Sequence, residues 1–233
     1  MAEDFIQLIA NAGVLIQIRG KKILVDALHN RYTEVFSSVP DDLLYKIAHG
    51  EDEFREIDLL VFTHDHPDHY SREWTEEFLK NHPNTRMISP ISDFSGERIT
   101  VLREPLEEHF LNGIGIKCAK LVHEGEQYRD VANYGYRFDI KGFHVTVLGD
   151  SGPENIPPLF AGADLALYNF PFVTVMRGRK MIGELNPKRI IAYHLPYEEK
   201  DVNGYIRAAL RSIERNGYGN ASVLWKRGQK EWL

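Results

Sequence analysis

The chain has 233 residues, of which 43% are hydrophobic and 27% are charged. This length suits one domain with a large core or two small domains, and the composition excludes disordered and collagen-like proteins. No apolar run approaches the roughly 20 residues that a membrane-spanning helix needs. We therefore expect a soluble globular protein without a membrane span.

The N-terminus, the net charge and the cysteine content bear on compartment and partners. The first residues, MAEDF, are acidic and lack the pattern of a secretory signal, which predicts a cytoplasmic protein. A net charge of −6 opposes the broad basic surface of nucleic-acid-binding proteins, so we expect no nucleic-acid partner. Cys118 is the single cysteine. A metal site in this chain must therefore use histidines and carboxylates.

The first part of the chain predicts a three-stranded meander, a helix, a buried strand and a second helix. The strands of the meander are predicted at residues 5–9, 14–19 and 23–26. Pro40 opens and Gly50 closes a short amphipathic helix. The continuous apolar run at residues 57–63 predicts a strand that is buried on both faces. A helix follows, with its start at residues 67–68 and its end at residues 81–83.

The rest of the chain predicts strands with interspersed helices. Further strands are predicted at residues 86–89, 99–102, 114–123, 134–139, 143–150, 164–170 and 189–194. Helices are predicted at residues 173–185 and 201–216, and the tail at residues 222–233 indicates one or two strands around Gly228. No linker or repeat interrupts the sequence. We therefore predict a single domain, residues 1–233, in which two sheets are covered by helices.

A histidine cluster follows the apolar run at residues 57–63. It has the pattern His64-x-His66-x-Asp68-His69 and lies at a strand-to-helix turn. Two histidines that are two residues apart can converge on one ion, while Asp68 and His69, beyond the turn, can address another. The pattern therefore predicts two adjacent metal ions, with solvated loop histidines as the competing interpretation.

The remaining ligands must come from other strand ends, because the cluster alone offers too few groups. His123, Asp150 and His194 each end an apolar run that predicts a strand. Imidazole and carboxylate ligands suit zinc, manganese and iron, and the sequence does not choose among these metals. We expect two divalent metal ions as cofactors. Zinc is the expected metal, and manganese or iron are the alternatives.

The order of these motifs resembles that of the metallo-β-lactamase superfamily of hydrolases, and the resemblance covers nearly the whole chain. The five motifs of that family are matched in order by Asp26, the cluster at 64–69, His123, Asp150 and His194. Three segments are most similar to the branch of L-ascorbate 6-phosphate lactonase-like and phospholipase-D-like hydrolases. These segments are residues 11–16, 149–151 and 185–194.

The resemblance implies a fold and a set of ligands. The fold is an α/β (α+β) structure, a four-layer αββα sandwich with the metal ions at one edge between the sheets. The first ion is then held by His64, His66 and His123. The second ion is held by Asp68, His69 and His194. Asp150 bridges both ions, and Asp26 orients the ligands without binding an ion itself.

The resemblance also implies a dinuclear metal-dependent hydrolase. A hydroxide that bridges the metal ions attacks an ester, lactone or phosphodiester bond, because the ions lower the pKa of a bound water. Asp68 and Asp150 are the implied catalytic carboxylates, and Asp68 accepts a hydrogen bond from the hydroxide and transfers a proton. A helix N-terminus at residues 68–71 is expected to add a partial positive charge.

Four side chains are candidates for contact with a small-molecule substrate. Arg177, Arg179 and Lys180 lie between the last two motifs and could hold an anionic group, although the same stretch also fits a solvated helix face. His29 follows the first motif closely and could reach the mouth of the site, with a surface-loop histidine as the competing interpretation. The sequence leaves the physiological substrate and the oligomeric state open, a homo-oligomer included.

Two other functions are compatible with the motifs. A di-iron redox protein on the same fold would bind iron tightly, but such proteins typically carry Glu at the second cluster histidine, which is His66 here, and a flavin domain. A phosphodiesterase acting on tRNA or other nucleic acid would use the same metal ions, but the acidic charge balance opposes it. Activity on β-lactams is not implied by the fold, because the loops decide the substrate.

Overall fold

The computed structural model describes residues 3–31 and 36–233, and in these ranges the chain forms two seven-stranded sheets and five α-helices. The first six strands are β1 (Phe5–Ala10), β2 (Gly13–Ile18), β3 (Lys21–Val25), β4 (Leu59–Val61), β5 (Arg86–Ser89) and β6 (Ile99–Val101). The other strands are β7 (Leu106–Leu111), β8 (Ile114–Leu121), β9 (Asn133–Ile140), β10 (Phe143–Val147), β11 (Leu165–Asn169), β12 (Ile190–Tyr193), β13 (Ala221–Val223) and β14 (Lys230–Trp232). The helices are α1 (Asp41–His49), α2 (Arg72–Asn81), α3 (Phe170–Thr174), α4 (Met176–Leu185) and α5 (Tyr205–Asn216).

Both sheets mix parallel and antiparallel strands. The first has the order β14-β1-β2-β3-β4-β5-β6, and the second has the order β13-β12-β11-β10-β9-β8-β7. Strands β3 to β6 are parallel to one another, and so are strands β10 to β13. The carboxyl ends of parallel strands meet at one edge of a sheet, where ligands commonly bind. The predicted metal ligands follow strands at these edges.

Side-chain alternation along the strands defines the layers. In β11, Leu165 and Leu167 join the core between the two sheets, whereas Ala166 and Tyr168 join a second core with residues of α3 and α4. The helices α1 and α2 pack together and contribute side chains such as Ile47 to the core of the first sheet. The predicted four-layer αββα sandwich is therefore confirmed. No helix in the described ranges has the length and apolarity needed to cross a membrane.

The helix α2 starts later than the sequence predicts. It begins at Arg72, because the Ser71 side chain caps its first turn. The preceding residues, 67–70, form a separate turn in which the N–H groups of His69 and Tyr70 donate to the carbonyl oxygen of His66. The start predicted at residues 67–68 is therefore about one turn too early, and the N-cap is the last residue of the N-terminus predicted at residues 68–71.

Several other elements differ from the prediction. The strands predicted at residues 57–63, 114–123 and 143–150 are shorter, at Leu59–Val61, Ile114–Leu121 and Phe143–Val147. The edge strand β7 is not predicted, because its charged residues interrupt the apolar alternation and its side chains are largely exposed. The helix predicted at residues 173–185 is two helices, separated at Val175, whose backbone is extended with ψ 155°. The helix α5 begins at Tyr205, later than predicted, after Gly204 adopts a left-handed conformation with φ 70°.

Candidate metal centre

The seven residues predicted as ligands lie together at the carboxyl edges of the two sheets. In the described part of the chain they form two sets, within each of which one ligand atom per residue lies within 4.8 Å of the others. The first set is His64, His66, His123 and Asp150. The second set is Asp68, His69 and His194. Ligands after β4 in one sheet thus meet ligands after β8, β10 and β12 in the other.

Asp150 lies between the two sets. Its Oδ2 is 3.6 Å from His123 Nε2 and 4.0 Å from His64 Nε2, both in the first set. The same oxygen is 3.4 Å from His69 Nε2, and Oδ1 is 3.0 Å from His194 Nε2, both in the second set. The two oxygens of one carboxylate therefore reach ligand nitrogens of both sets.

Hydrogen bonds at Nδ1 fix which nitrogen of a ligand histidine faces the centre. His69 Nδ1 lies 3.0 Å from Asp26 Oδ2, and His123 Nδ1 lies 2.7 Å from the carbonyl oxygen of Glu124. Because both oxygens only accept, Nδ1 carries the hydrogen in each ring. In the neutral ring Nε2 is then left with a lone pair toward the centre, which is the arrangement of metal-binding histidines.

Thr63 and Asp26 orient one histidine in each of the two sets. The Thr63 hydroxyl donates to Asp26 Oδ2 at 2.7 Å, and its oxygen accepts from His64 Nδ1 at 2.9 Å. The Thr63 N–H donates to Asp26 Oδ1 at 2.8 Å. One buried carboxylate thus orients His69 directly and His64 through Thr63. The sequence interpretation missed Thr63, although its place at the end of the predicted strand, next to His64, was the available signal.

The donor atoms fit divalent metal ions. The Nε2 atoms of His64 and His123 are buried without a hydrogen-bond partner, a state that costs about 1–3 kcal/mol per group unless another ligand satisfies it. The Nε2 atoms of His69 and His194 are 3.1 Å apart. Two nitrogens on one tetrahedral zinc ion are separated by roughly 3.3 Å. Imidazole and carboxylate donors without a thiolate suit zinc, manganese and iron.

Burial and the charges within the centre shift the pKa values of its groups. Burial opposes protonation of His69, but Asp150, Asp68 and Asp26 raise its pKa well above the ordinary value, so a bound cation would replace a proton there. Burial, followed by the neighbouring charge of His69, lowers the pKa of His64 well below its ordinary value, and a ligand imidazole must be neutral. Burial opposes ionisation of Asp150, but His194 and His69 hold its pKa well below its ordinary value. Burial also opposes ionisation of Asp68, and the same two histidines lower its pKa. Both carboxylates are therefore ionised at neutral pH.

The backbone at this edge is strained at two of these residues. Asp26 follows β3 with φ 47°, and His194 follows β12 with φ 60°. The left-handed conformation costs about 1–2 kcal/mol for a residue with a side chain. Such strain concentrates at functional sites, where the surrounding structure enforces it. The strained backbone therefore lowers the stability of the fold, and it orients these two side chains.

Asn11 contacts the centre in a way that the sequence interpretation did not assign. It lies in the turn between β1 and β2 with φ 48°, and its side chain is buried. Its Nδ2 donates to Asp68 Oδ2 at 2.8 Å. In the sequence, the segment at residues 11–16 indicates only a family resemblance and no role for Asn11. This hydrogen bond links residues far apart in sequence, so only the tertiary structure reveals it.

Arg177, a predicted substrate contact, lies beside the first set with its charge already paired. It forms ion pairs with Glu154 at 3.3 Å and with Glu124, the residue after His123. Both ion pairs hold the guanidinium near the mouth of the centre. An anion would have to compete with two carboxylates for this arginine.

Arg179 and Lys180 have surroundings typical of a helix surface. Lys180 is exposed and lies 3.7 Å from Glu184 on the next turn of α4. Arg179 lies near Tyr218, which follows α5. Among the described residues, no hydrogen bond or ion pair joins either side chain to the seven ligands. These positions favour the solvated-helix interpretation for both residues.

His29 lies inside the protein rather than on a surface loop. It is buried, and neither ring nitrogen makes a hydrogen bond with the described residues. Burial, followed by the charge of His69, lowers its pKa to about 3, so the imidazole is neutral. The surface-loop interpretation is therefore wrong, and substrate contact through His29 stays a prediction.

Sequence comparison identifies one family. A model described as "Beta-lactamase superfamily domain" matches residues 21–202, which include all seven predicted ligands and Asp26. No curated protein matches the chain significantly.

Solved structures share this fold at low sequence identity. Igni18, a metallo hydrolase from Ignicoccus hospitalis, has a TM-score of 0.67 and 16% identity, with 100% of this chain and 99% of that chain covered. An isothiocyanate hydrolase from Delia radicum gut bacteria has a TM-score of 0.63 and 16% identity, with 97% and 98% covered. CmlA, a diiron β-hydroxylase from Streptomyces venezuelae, has a TM-score of 0.64 and 15% identity, and the chain spans only 54% of its length.

Proposed function

This chain belongs to the beta-lactamase superfamily, and we propose that it is a hydrolase that uses two divalent metal ions. The first set of ligands, with Asp150 shared, would hold one ion, and the second set would hold the other. When bound, the ions would lower the pKa of a water and supply positive charge for an oxygen that becomes negative during hydrolysis. Zinc fits the donors, with manganese and iron as alternatives.

The residues around the ions would have different roles in hydrolysis. Asp68, ionised and held through Oδ2 by Asn11, would accept a proton from the attacking water and return it to the leaving group. Asp26 would keep His69 and, through Thr63, His64 turned toward the ions. The bond cleaved would be an ester, a lactone or a phosphodiester.

The position of Asp150 is the observation that carries the proposal. Its carboxylate oxygens lie 3.0–4.0 Å from four ligand histidine nitrogens, two in each set. A carboxylate that served only as the partner of one histidine would not need this position. The prediction that Asp150 bridges two ions is consistent with these distances.

Measurement of metal content and hydrolysis on Asp150→Ala tests the proposal. The wild-type chain, loaded separately with Zn²⁺ and Mn²⁺, is assayed on phosphodiester, phosphomonoester, lactone, ester and thioester reporters. We expect two ions per wild-type chain, at most one in the variant, and loss of hydrolysis. Asp164→Ala is the control, because this carboxylate pairs with Lys188 away from the centre. Full metal content and hydrolysis in Asp150→Ala would show that the dinuclear proposal is wrong.

A di-iron redox reaction is the second candidate, because the fold is shared with the diiron protein CmlA. His66 stands where redox proteins of this fold typically have Glu, which favours hydrolysis. Iron that is retained through purification and that changes its absorption on reduction, together with no hydrolysis, would support the redox reaction.

Several finer predictions from the sequence stay predictions. They concern the branch of lactonase-like and phospholipase-D-like hydrolases, the cytoplasmic location, the single domain over residues 1–233 and a homo-oligomeric state. The anion-binding role of Arg177, Arg179 and Lys180 also stays a prediction.

A further inference from the structure

The ring of Tyr128 contacts two histidines of the first set and is partly exposed to solvent. Its ring centroid lies 5.1 Å from the ring of His66 and 5.1 Å from the ring of His123. The side chain is 41% exposed. Its hydroxyl makes no hydrogen bond with the described residues. The ring is therefore held by two ligands of the centre while the hydroxyl is free to meet a bound molecule.

The local backbone builds this position. The N–H of Tyr128 donates to the carbonyl oxygen of Gly125 at 3.0 Å, and its own carbonyl accepts from Val131 at 3.0 Å. Gly125 has φ 91°, and a Cβ there would lie 3.2 Å from Tyr128 Cδ2. Glycine thus lets the tyrosine ring lie close against the backbone of the turn. The ring is fixed by the fold.

A second aromatic ring lies on the other set of ligands. Phe36 contacts His194 edge to face, with ring centroids 4.6 Å apart and an angle of 84° between the planes. Aromatic rings thus contact ligands of both sets. Such surfaces bind planar or apolar groups well, because they offer a large contact area with little loss of side-chain entropy.

The charges around Tyr128 do not favour an anion. Beside His123, Arg177 is paired with Glu124 and Glu154, and Arg129 is paired with Glu126 at 2.9 Å. Three carboxylates thus face two arginines, and both arginines are already paired. Apart from the metal ions themselves, a phosphate group at this side would lose water without gaining an unpaired cation.

We propose that Tyr128 is the substrate-contacting residue on the side of His66 and His123, and that it selects an uncharged ester or lactone with a planar or apolar group. The ring packs against that group, and the hydroxyl donates a hydrogen bond to a substrate oxygen. This inference rests on the proposed function, since it concerns the substrate of the same centre.

Kinetics of Tyr128 variants test the inference. The Zn²⁺-loaded protein is assayed with phenyl acetate, which is neutral, and with bis(p-nitrophenyl) phosphate, which is anionic. We expect a higher kcat/KM for phenyl acetate. Tyr128→Phe should lower that value roughly threefold to tenfold, the worth of one neutral hydrogen bond. Tyr128→Ala should lower it further, mainly by raising KM, with unchanged metal content.

Tyr45→Phe and Tyr45→Ala are the matched controls. Tyr45 is also exposed and also stacks on a histidine, His49, at 4.0 Å, but neither residue belongs to the two ligand sets. We expect both control variants to keep the wild-type kinetics. Preference for the phosphodiester, or Tyr128 variants with wild-type kinetics on phenyl acetate, would overturn the inference and leave the hydrolase proposal intact.

A binding measurement decides the inference without activity. The protein is loaded with Co²⁺, and its visible absorption is titrated with phenylboronic acid, an aromatic probe that is uncharged before it binds, and with inorganic phosphate. We expect tighter binding of phenylboronic acid, which Tyr128→Ala weakens roughly tenfold while phosphate binding is unchanged. Equal weakening of both probes, or none, would overturn the inference. If no substrate is hydrolysed, the proposed function fails, and this titration still tests Tyr128.

Discussion

Asp26 is a buried carboxylate that makes three hydrogen bonds, to His69 Nδ1, the Thr63 hydroxyl and the Thr63 N–H. In Asp26→Asn, the amide group would present its own N–H₂ to a donor, so at least one of these bonds is lost. We expect metal affinity to fall about 10–100-fold with the fold retained. Competition with a chromophoric chelator measures this. Wild-type affinity in the variant would mean that the ligand histidines are oriented without Asp26.

Asp164 offers a control for Asp26 and a pH-dependent prediction of its own. Burial opposes its ionisation, but Lys188 and the N–H of His144 lower its pKa. A lowered pKa in the folded state stabilises the protein above the ordinary aspartate pKa, and this stabilisation is lost as the pH falls through the lowered value. Asp164→Asn should therefore unfold at lower urea concentration than the wild type at pH 7.

The same variant should approach the wild type in acid. Urea unfolding of both proteins at a series of pH values from neutral to acidic checks this. A stability difference that is constant or grows on acidification would contradict the prediction. Metal affinity of Asp164→Asn should equal that of the wild type, because no contact joins Asp164 to the ligands among the described residues.

At the scale of elements, the end of β10 depends on Gly149. Its φ is 58°, and a Cβ there would lie 2.4 Å from Asn133 Oδ1 and 2.8 Å from Thr63 Cβ. Gly149→Ala should therefore destabilise the protein through both backbone strain and overpacking, by roughly 2–4 kcal/mol. Because Asp150 is the next residue, metal content should fall as well. Thermal unfolding and metal analysis measure the two effects.

Gly162→Ala is the matched control for this variant. Gly162 has φ 67°, but nothing lies within 4 Å of the Cβ that alanine would add. Gly162→Ala should lower the free energy of unfolding only by the backbone strain, which is about 1–2 kcal/mol. Equal destabilisation by both substitutions would mean that the contacts of Gly149 with Asn133 and Thr63 relax without cost.

The turn between β1 and β2 reaches the centre through Asn11. Asn11→Gly keeps a residue that tolerates φ 48° but removes the hydrogen bond to Asp68 Oδ2. We expect kcat to fall roughly tenfold, since Asp68 loses one charge-assisted hydrogen bond, with little change in melting temperature. Steady-state kinetics on the most active reporter check this. An unchanged kcat would show that the second set of ligands alone positions Asp68.

At the scale of the whole molecule, the two sheets meet at the metal centre. The loop after β4 in the first sheet supplies four of the predicted ligands, and segments that follow strands of the second sheet supply the other three. Bound ions would therefore join the sheets. An ion present at 1,000 times its dissociation constant stabilises the folded state by about 4 kcal/mol, which corresponds to a melting temperature roughly 10 °C higher.

Calorimetry with and without a chelator tests this stabilisation. Removal of metal should lower the melting temperature of the wild type and have a smaller effect on Asp150→Ala. A wild-type melting temperature that does not respond to the chelator would mean that the two ligand sets hold no tightly bound ion.

Local patterns in the sequence predicted most of the strands and all seven residues of the two candidate ligand sets, and the family resemblance of the motifs implied the αββα class. A buried parallel strand is a continuous apolar run, and a ligand that follows it lies at the carboxyl edge by the geometry of the strand itself. The run at residues 57–63 and His64 illustrate this, as do Asp150 and His194, which follow β10 and β12. His123 follows β8, which is antiparallel to both of its neighbours.

Contacts across the fold decided the rest. The bonds of Asn11 to Asp68 and of Thr63 to Asp26, the pairing of Arg177 with Glu124, and the burial of His29 all join residues far apart in sequence or depend on their neighbours in space. A side chain's partner and its exposure are properties of the packed sheets, not of the local pattern. The residues able to bind metal, and Asp26 beside them, could therefore be predicted from the sequence, while the hydrogen bonds of Thr63 and Asn11 could not.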